Sequence, residues 1–205
     1  KNHSVNIAAE DIKKLIDKHF HKYLKKDLYE IVRVNPKNLL TYNRFDISFK
    51  LLYLDYKEKN IDLAKSIYRE HIKAFSLGKF IEPGNSSKNT FEKYISEFEN
   101  IFDNIKSEGF NRKKSLIPLD LNRSISNGSH RVATSIFLNK TVDTINLETE
   151  VSNYGYNFFR KRNISDDILD MAAVKYIKYS DNIYSAVIWP SAIGKEKEIE
   201  KIIPN

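Results

Sequence analysis

Between residues 90 and 107 apolar side chains recur at helical spacing: Phe91, Tyr94, Ile95, Phe98, Ile101, Phe102 and Ile105. Soon afterwards the pattern changes to SLIPLDL, residues 115–121, an apolar run short enough for a buried strand. A one-sided helical stripe must be covered by another element, and so must a strand that is apolar throughout. The change of period therefore commits this part of the chain to helix packed on sheet. The alternation then repeats. Residues 129–138 suit a helix, and TVDTINLE, residues 141–148, suits a strand through Val142, Ile145 and Leu147. Ser124–Ser126 reads as a second short strand or a hairpin return. At the ends of the long helix, Asn89 with Glu92 resembles a capping arrangement, and Gly109 suits the position beyond the last turn.

Upstream the periodicity is helical. Ile12, Leu15, Ile16, Phe20, Tyr23, Leu24, Leu28 and Ile31 share a face, which predicts one helix over residues 8–32. Pro36 interrupts it. Residues 45–57 and 61–77 read as two further helices, with Gly78 a stop. GKFIEPGNSSKN, residues 78–89, is the clearest loop. Downstream, Asp166–Tyr179 reads as a helix, IYSAVIW (183–189) as a strand, and Lys195–Ile203 as a short charged helix. The expected organisation is α+β: a helical N-terminal region, residues 1–77, then an α/β part with a small mixed sheet and a C-terminal extension, residues 78–205.

The chain has 205 residues, 41% of them hydrophobic, with 12 Tyr and 12 Phe, enough for a sizeable core. Cysteine is absent, which excludes disulfides and thiolate metal sites. No apolar run is long enough to span a bilayer, and KNHSVNIAAED has no signal-peptide core. The expected compartment is the cytoplasm. The first residue is Lys, which leaves room for the sequence to be a piece of a longer protein. A net charge of +7 and a pI near 9.3 favour anionic partners such as phosphorylated metabolites, nucleotides or nucleic acid. The alternative is a basic compositional background. Lys is spread along the chain without the dense basic block and interleaved aromatics of a nucleic-acid face, so DNA is a less favoured partner.

The chemistry concentrates in NGSHR. Asn127 and Gly128 make a turn that lets backbone approach a ligand, and a helix begins behind it with unpaired N–H groups and partial positive charge. Ser129 adds a hydroxyl, His130 an imidazole that can donate, accept or carry charge, and Arg131 a fork suited to phosphate. Together they describe a phosphate pocket. The alternative is a polar turn with a capping Ser and a surface Arg.

Loop, helix ending in Gly109, PLD strand, GSHR turn, helix and strand, in that order, resemble the ParB/sulfiredoxin-like superfamily over about residues 78–150. FEKYISEFENIFDNIKSEGF and SLIPLDLNRSISNGSHRVATSIFLNKTVDTINLE carry the resemblance. Sulfiredoxins use a Cys in this turn; here Ser129 stands there, which excludes thiol chemistry. The helix-turn-helix domain of ParB proteins has no counterpart after residue 150. The logic is closest to the free-serine-kinase branch, which binds a nucleotide at this turn and phosphorylates a small alcohol. A looser likeness is to ParB-like proteins of bacterial surface-polysaccharide gene sets. The resemblance implies an ATP- and Mg2+-dependent kinase or phosphotransferase acting on a sugar, polyol or amino acid. The alternatives are a non-catalytic nucleotide- or DNA-binding module, or a phospho-ligand-binding accessory domain.

Phosphoryl transfer needs positioned phosphates, neutralised charge and a base. Beside His130, the resemblance points to Glu82 as the base, in the loop that the superfamily folds over its nucleotide. Asp120 is the other candidate, as base or magnesium ligand, unless it orients the turn or pairs with Arg123. Arg44 and Asp46 can reach a substrate, although Asp46 also suits a helix N-cap. Arg160 can complete the anion site. His71, beside Tyr68 and Phe75, reads as a core histidine before a catalytic one, and His19 and His21 do not form a metal pair.

Overall fold

A computed structural model describes residues 4–81 and 89–180. Its frame is a four-stranded mixed sheet of β1 (Ser4–Ala8), β2 (Leu28–Val34), β3 (Ile117–Asp120) and β4 (Val142–Thr149), in the order β1-β2-β4-β3. β1 pairs antiparallel with β2, β2 antiparallel with β4, and β3 parallel with β4. The sheet thus takes two strands from each side of residue 77. Among the described residues, no helix is long and apolar enough to cross a membrane.

Residues 8–32 do not form the expected single helix. After β1 come one helical turn, α1 (Ala9–Ile12), a 3-10 segment (Lys18–Tyr23), and then β2. Helical spacing fits these apolar positions, but so do two strands folded back on each other. Tertiary pairing decides: Val5 faces Ile31, Ile7 faces Tyr29, and Ile31 faces Ile145 of β4. Tyr29 and Ile31 turn into the core with Ile12, Phe20, Leu116, Ile145 and Leu147, while Leu28 and Glu30 point out. That period of two belongs to a strand.

The other helices follow their stripes. α2 (Asp46–Tyr56) and α3 (Ile61–Phe75) form an antiparallel-patterned pair joined by a short turn, with the Asn60 side chain accepting from the Leu63 N–H at 3.1 Å. α4 (Phe91–Glu108) is capped by Thr90, one residue later than the expected Asn89, whose side chain instead accepts from Lys93 Nζ at 3.0 Å. Gly109 closes α4 at φ +74°, as its position suggested. α5 (Ser129–Phe137) joins the parallel strands β3 and β4, and α6 (Tyr156–Arg160) and α7 (Asp166–Tyr179) complete the described chain. The hairpin return after β3 is a bridge between Leu119 and Ile125. The segments expected at 183–189 and 195–203 lie outside the described residues.

Ile117, Leu119 and Val142 of the sheet pack with Ile47 and Leu51 of α2 and Val132, Ala133 and Ile136 of α5. Because α2 is buried along nearly its whole length, it also serves the clusters with α3, α4, α6 and α7. This central position brings its polar residues to the site.

Candidate functional site

A cavity of about 320 Å3 opens where the parallel strands end, a size within the usual range of small-ligand pockets. Ser126–His130, after β3, line one side, and Thr149, Glu150, Ser152 and Tyr154, after β4, line another. The carboxyl ends of parallel strands are the common ligand position in α/β sheets. The Ser126 and Thr149 hydroxyls lie 2.5 Å apart and tie the two strand ends together.

Gly128 begins α5 in the left-handed region, φ +93° and ψ 24°. A Cβ there would lie 2.6 Å from Ile117 Cδ1 and 2.9 Å from the Arg131 guanidinium, so the turn requires glycine. No side chain caps the N terminus of α5, and its first residues, Ser129 and His130, face the cavity. The Asn127 side-chain oxygen accepts from the Gly128 N–H at 2.5 Å, and its amide nitrogen donates to Asp17. His130 Nε2 shares a 2.6 Å hydrogen bond with the Tyr68 hydroxyl, and the imidazole stands edge-on to Phe98.

Opposite the turn lies a wall built from α2 and α3. Arg44 is 4% exposed and grips Asp46 with two bonds, Nε to Oδ1 at 2.8 Å and Nη2 to Oδ2 at 2.9 Å. Lys50, one helical turn on, donates to Asp46 Oδ2 at 3.0 Å. Arg44 also donates to the Ile125 carbonyl, at the foot of the turn. Burial alone would push the Asp46 carboxyl up, but Arg44 and Lys50 outweigh it and hold the group well below the usual carboxylate range. Asp46 thus carries two buried cations, Arg44 and Lys50.

His71 completes the wall. It is 1% exposed, stacks on Phe49 with ring centroids 4.9 Å apart, and neither ring nitrogen has a hydrogen-bond partner among the described residues. Burial, reinforced by Lys50, drives its pKa well below the usual histidine value, so the ring is neutral near pH 7. Exposed His19, Lys22 and Glu150 form the outer rim.

The residues singled out from sequence divide. Arg44, Asp46, Asn127, Gly128, Ser129 and His130 all line this cavity. Asp46 is not the N-cap of α2: that position is Phe45, and the carboxylate is spent on Arg44 and Lys50. Arg131 is half-buried under the turn, with Nη1 donating to the Leu116 carbonyl at 3.1 Å, and it does not line the cavity. Burial lowers its pKa, against the pull of Asp17. Asp120 is fully buried away from the cavity, where Oδ1 accepts the N–H groups of Asn122 and Ser124, both at 2.9 Å, so it orients the turn. Arg160 is exposed on α6 and outside the cavity lining. Glu82 lies outside the described residues.

Sequence reasoning missed Lys50, Glu150 and Asn43. Asn43 takes the Thr41 and Ser124 hydroxyls on its side-chain oxygen at 2.6 and 2.8 Å and donates to the Ser152 carbonyl at 3.0 Å. Its own carbonyl accepts from the Tyr154 N–H at 2.8 Å, strapping the segment after β4 to the start of α2. Lys50 alone had a legible signal, the four-residue spacing from Asp46.

No family model, no curated protein and no solved structure matches the chain.

Proposed function

We propose that the protein is a nucleotide-dependent phosphotransferase acting on a small hydroxyl compound. The observation that carries this reading is the N terminus of α5, without a side-chain cap, opening into a cavity whose inner wall holds the cations Arg44 and Lys50 around Asp46. A helix N terminus with its dipole, and fixed cations, are what a chain of phosphates requires. The ParB/sulfiredoxin-like likeness of residues 78–150 supports the same assignment of the GSH turn. The cavity is small for a whole nucleoside triphosphate, so the phosphates enter and the nucleoside lies towards His19 and Lys22 at the rim.

The acceptor oxygen attacks the γ-phosphorus and forms the new ester bond. The bond from that phosphorus to the β–γ bridging oxygen breaks, and its electron pair leaves on the nucleoside diphosphate. The hydroxyl proton passes to Glu150, the exposed carboxylate of the cavity. Among the described residues no group of three or more His, Asp or Glu is placed to hold a metal. Magnesium commonly takes only one or two protein carboxylates beside phosphates, so it fits here as an ion carried by the nucleotide, where it supplies charge neutralisation.

Calorimetric titration with ATP, ADP and CTP in magnesium tests the reading. Micromolar ATP binding is expected. Lys22→Ala should weaken it about tenfold, the worth of one charged hydrogen bond. Glu150→Gln should keep binding and lose most phosphate transfer. No nucleotide binding by the unmodified protein would sink the proposal.

A further inference from the structure

The inner wall also says what kind of acceptor fits, a question that rests on the phosphotransferase reading. Three acceptor classes present different groups: an amino acid brings an ammonium and a carboxylate, whereas sugars and polyols bring neutral hydroxyls. Among the described residues the acids lining the cavity are Asp46 and Glu150. Both Asp46 oxygens already accept, from Arg44 and from Lys50, so the inner wall presents no spare carboxylate to an ammonium.

His71 presents something else. It is buried, it lines the cavity, and both its ring nitrogens lack a hydrogen-bond partner among the described residues. A buried polar group without a partner costs about 1–3 kcal/mol, which a ligand can recover by supplying one. A neutral imidazole has one donor and one acceptor, the complement of a hydroxyl, which has both. The rings of Phe49 and Phe159, with centroids 4.9 and 5.4 Å away, fix its orientation. Phe75 and Tyr154 stand 5.1 Å apart beside it and give the cavity an apolar flank suited to the C–H face of a sugar.

We infer that His71 is the acceptor-binding residue and that the acceptor is a sugar or polyol, held by a hydroxyl on the imidazole while the phosphates lie on the α5 end of the same cavity. The ring's low basicity agrees with a neutral partner: it stays uncharged and does not compete for the phosphates.

The test is ADP formation from ATP and magnesium in the presence of D-glucose, D-galactose, ribitol, glycerol, L-serine or L-homoserine, with wild type, His71→Phe and His71→Gln. At least one sugar or polyol should raise ADP formation more than tenfold over ATP alone, with neither amino acid doing so. His71→Phe should raise the KM for that acceptor about tenfold or more with ATP affinity moved less than twofold, and His71→Gln, which keeps a donor and an acceptor, should recover part of the loss. Stimulation by an amino acid alone, no stimulation by any sugar or polyol, or an unchanged acceptor KM in His71→Phe would each overturn the inference while ATP binding stood. Absence of ATP binding in the wild type would overturn the phosphotransferase reading, and this inference with it.

Discussion

α2 carries charged clusters at both ends, and they differ in kind. At its start, Arg44, Asp46 and Lys50 are nearly inaccessible and face a cavity beside a histidine that has no hydrogen-bond partner among the described residues. Towards its end, Tyr53 donates to Glu99 at 2.5 Å, Lys57 reaches the same carboxylate at 2.5 Å while lying 3.6 Å over the Phe102 ring, and Lys175 pairs with Asp55. These distal groups are balanced, partly accessible, and tie α2 to α4 and α7. A saturated, balanced cluster is sufficiently explained by packing. A buried charged cluster beside a ring with no partner among the described residues is costly to the fold, and the cost makes sense if a ligand completes it.

The largest test of that contrast is Asp46→Asn. It leaves Arg44 and Lys50 buried without their counterion and should cost about 3–5 kcal/mol in denaturant unfolding, with the loss partly restored by added nucleotide. A cost below about 1 kcal/mol would place the trio with ordinary surface pairs. Next comes the pH dependence of His71. Its folded-state pKa lies below the unfolded value of 6.5, so the unfolded chain takes up the proton first as the medium acidifies. The stability held by the neutral ring is complete above that pH and falls as pH drops through it. His71→Phe should remove that component, so wild type should lose more stability than the variant between pH 7 and 5 in denaturant unfolding. Equal losses in the two proteins would mean the ring is not dry. The smallest effect belongs to the distal end. Tyr53→Phe deletes the hydroxyl on Glu99 and should cost about 1 kcal/mol without changing ATP affinity. A change in affinity there would erase the distinction between the two ends.

The helices α2 to α5, strands β3 and β4, and the glycine turn were legible because each rests on local pattern: stripes, a buried run, a residue that must tolerate φ +93°. Residues 8–32 were misread because Ile12, Phe20 and Ile31 satisfy a helical face by coincidence, and pairing with β4 more than a hundred residues on overrides it. The same limit applies to the site. Arg44 and Asp46 were visible as a charged pair before a helix, but their partner was hidden, and the cap reading for Asp46 followed local statistics. Asn43 makes its bonds to Ser124 and Ser152, far away in sequence, and nothing near it announces them. Arg131 and Asp120 have the right chemistry in the right stretch, yet their side chains turn to Leu116 and to the turn backbone. Only three dimensions separate the residues that build the turn from those that face its ligand.

The strap from Asn43 to Tyr154 has a consequence for how the cavity is assembled. The cavity draws on residues 19–23, 44–50, 71–75, 126–130 and 149–154 together with Tyr94, and none of these stretches forms a wall alone. Contacts this distant in sequence are late events, since the loops they close must be ordered first. The pocket is therefore assembled only when the last described strand has docked and its following segment has been fastened. A ligand that recognises the pocket binds the completed chain alone and raises its stability by mass action.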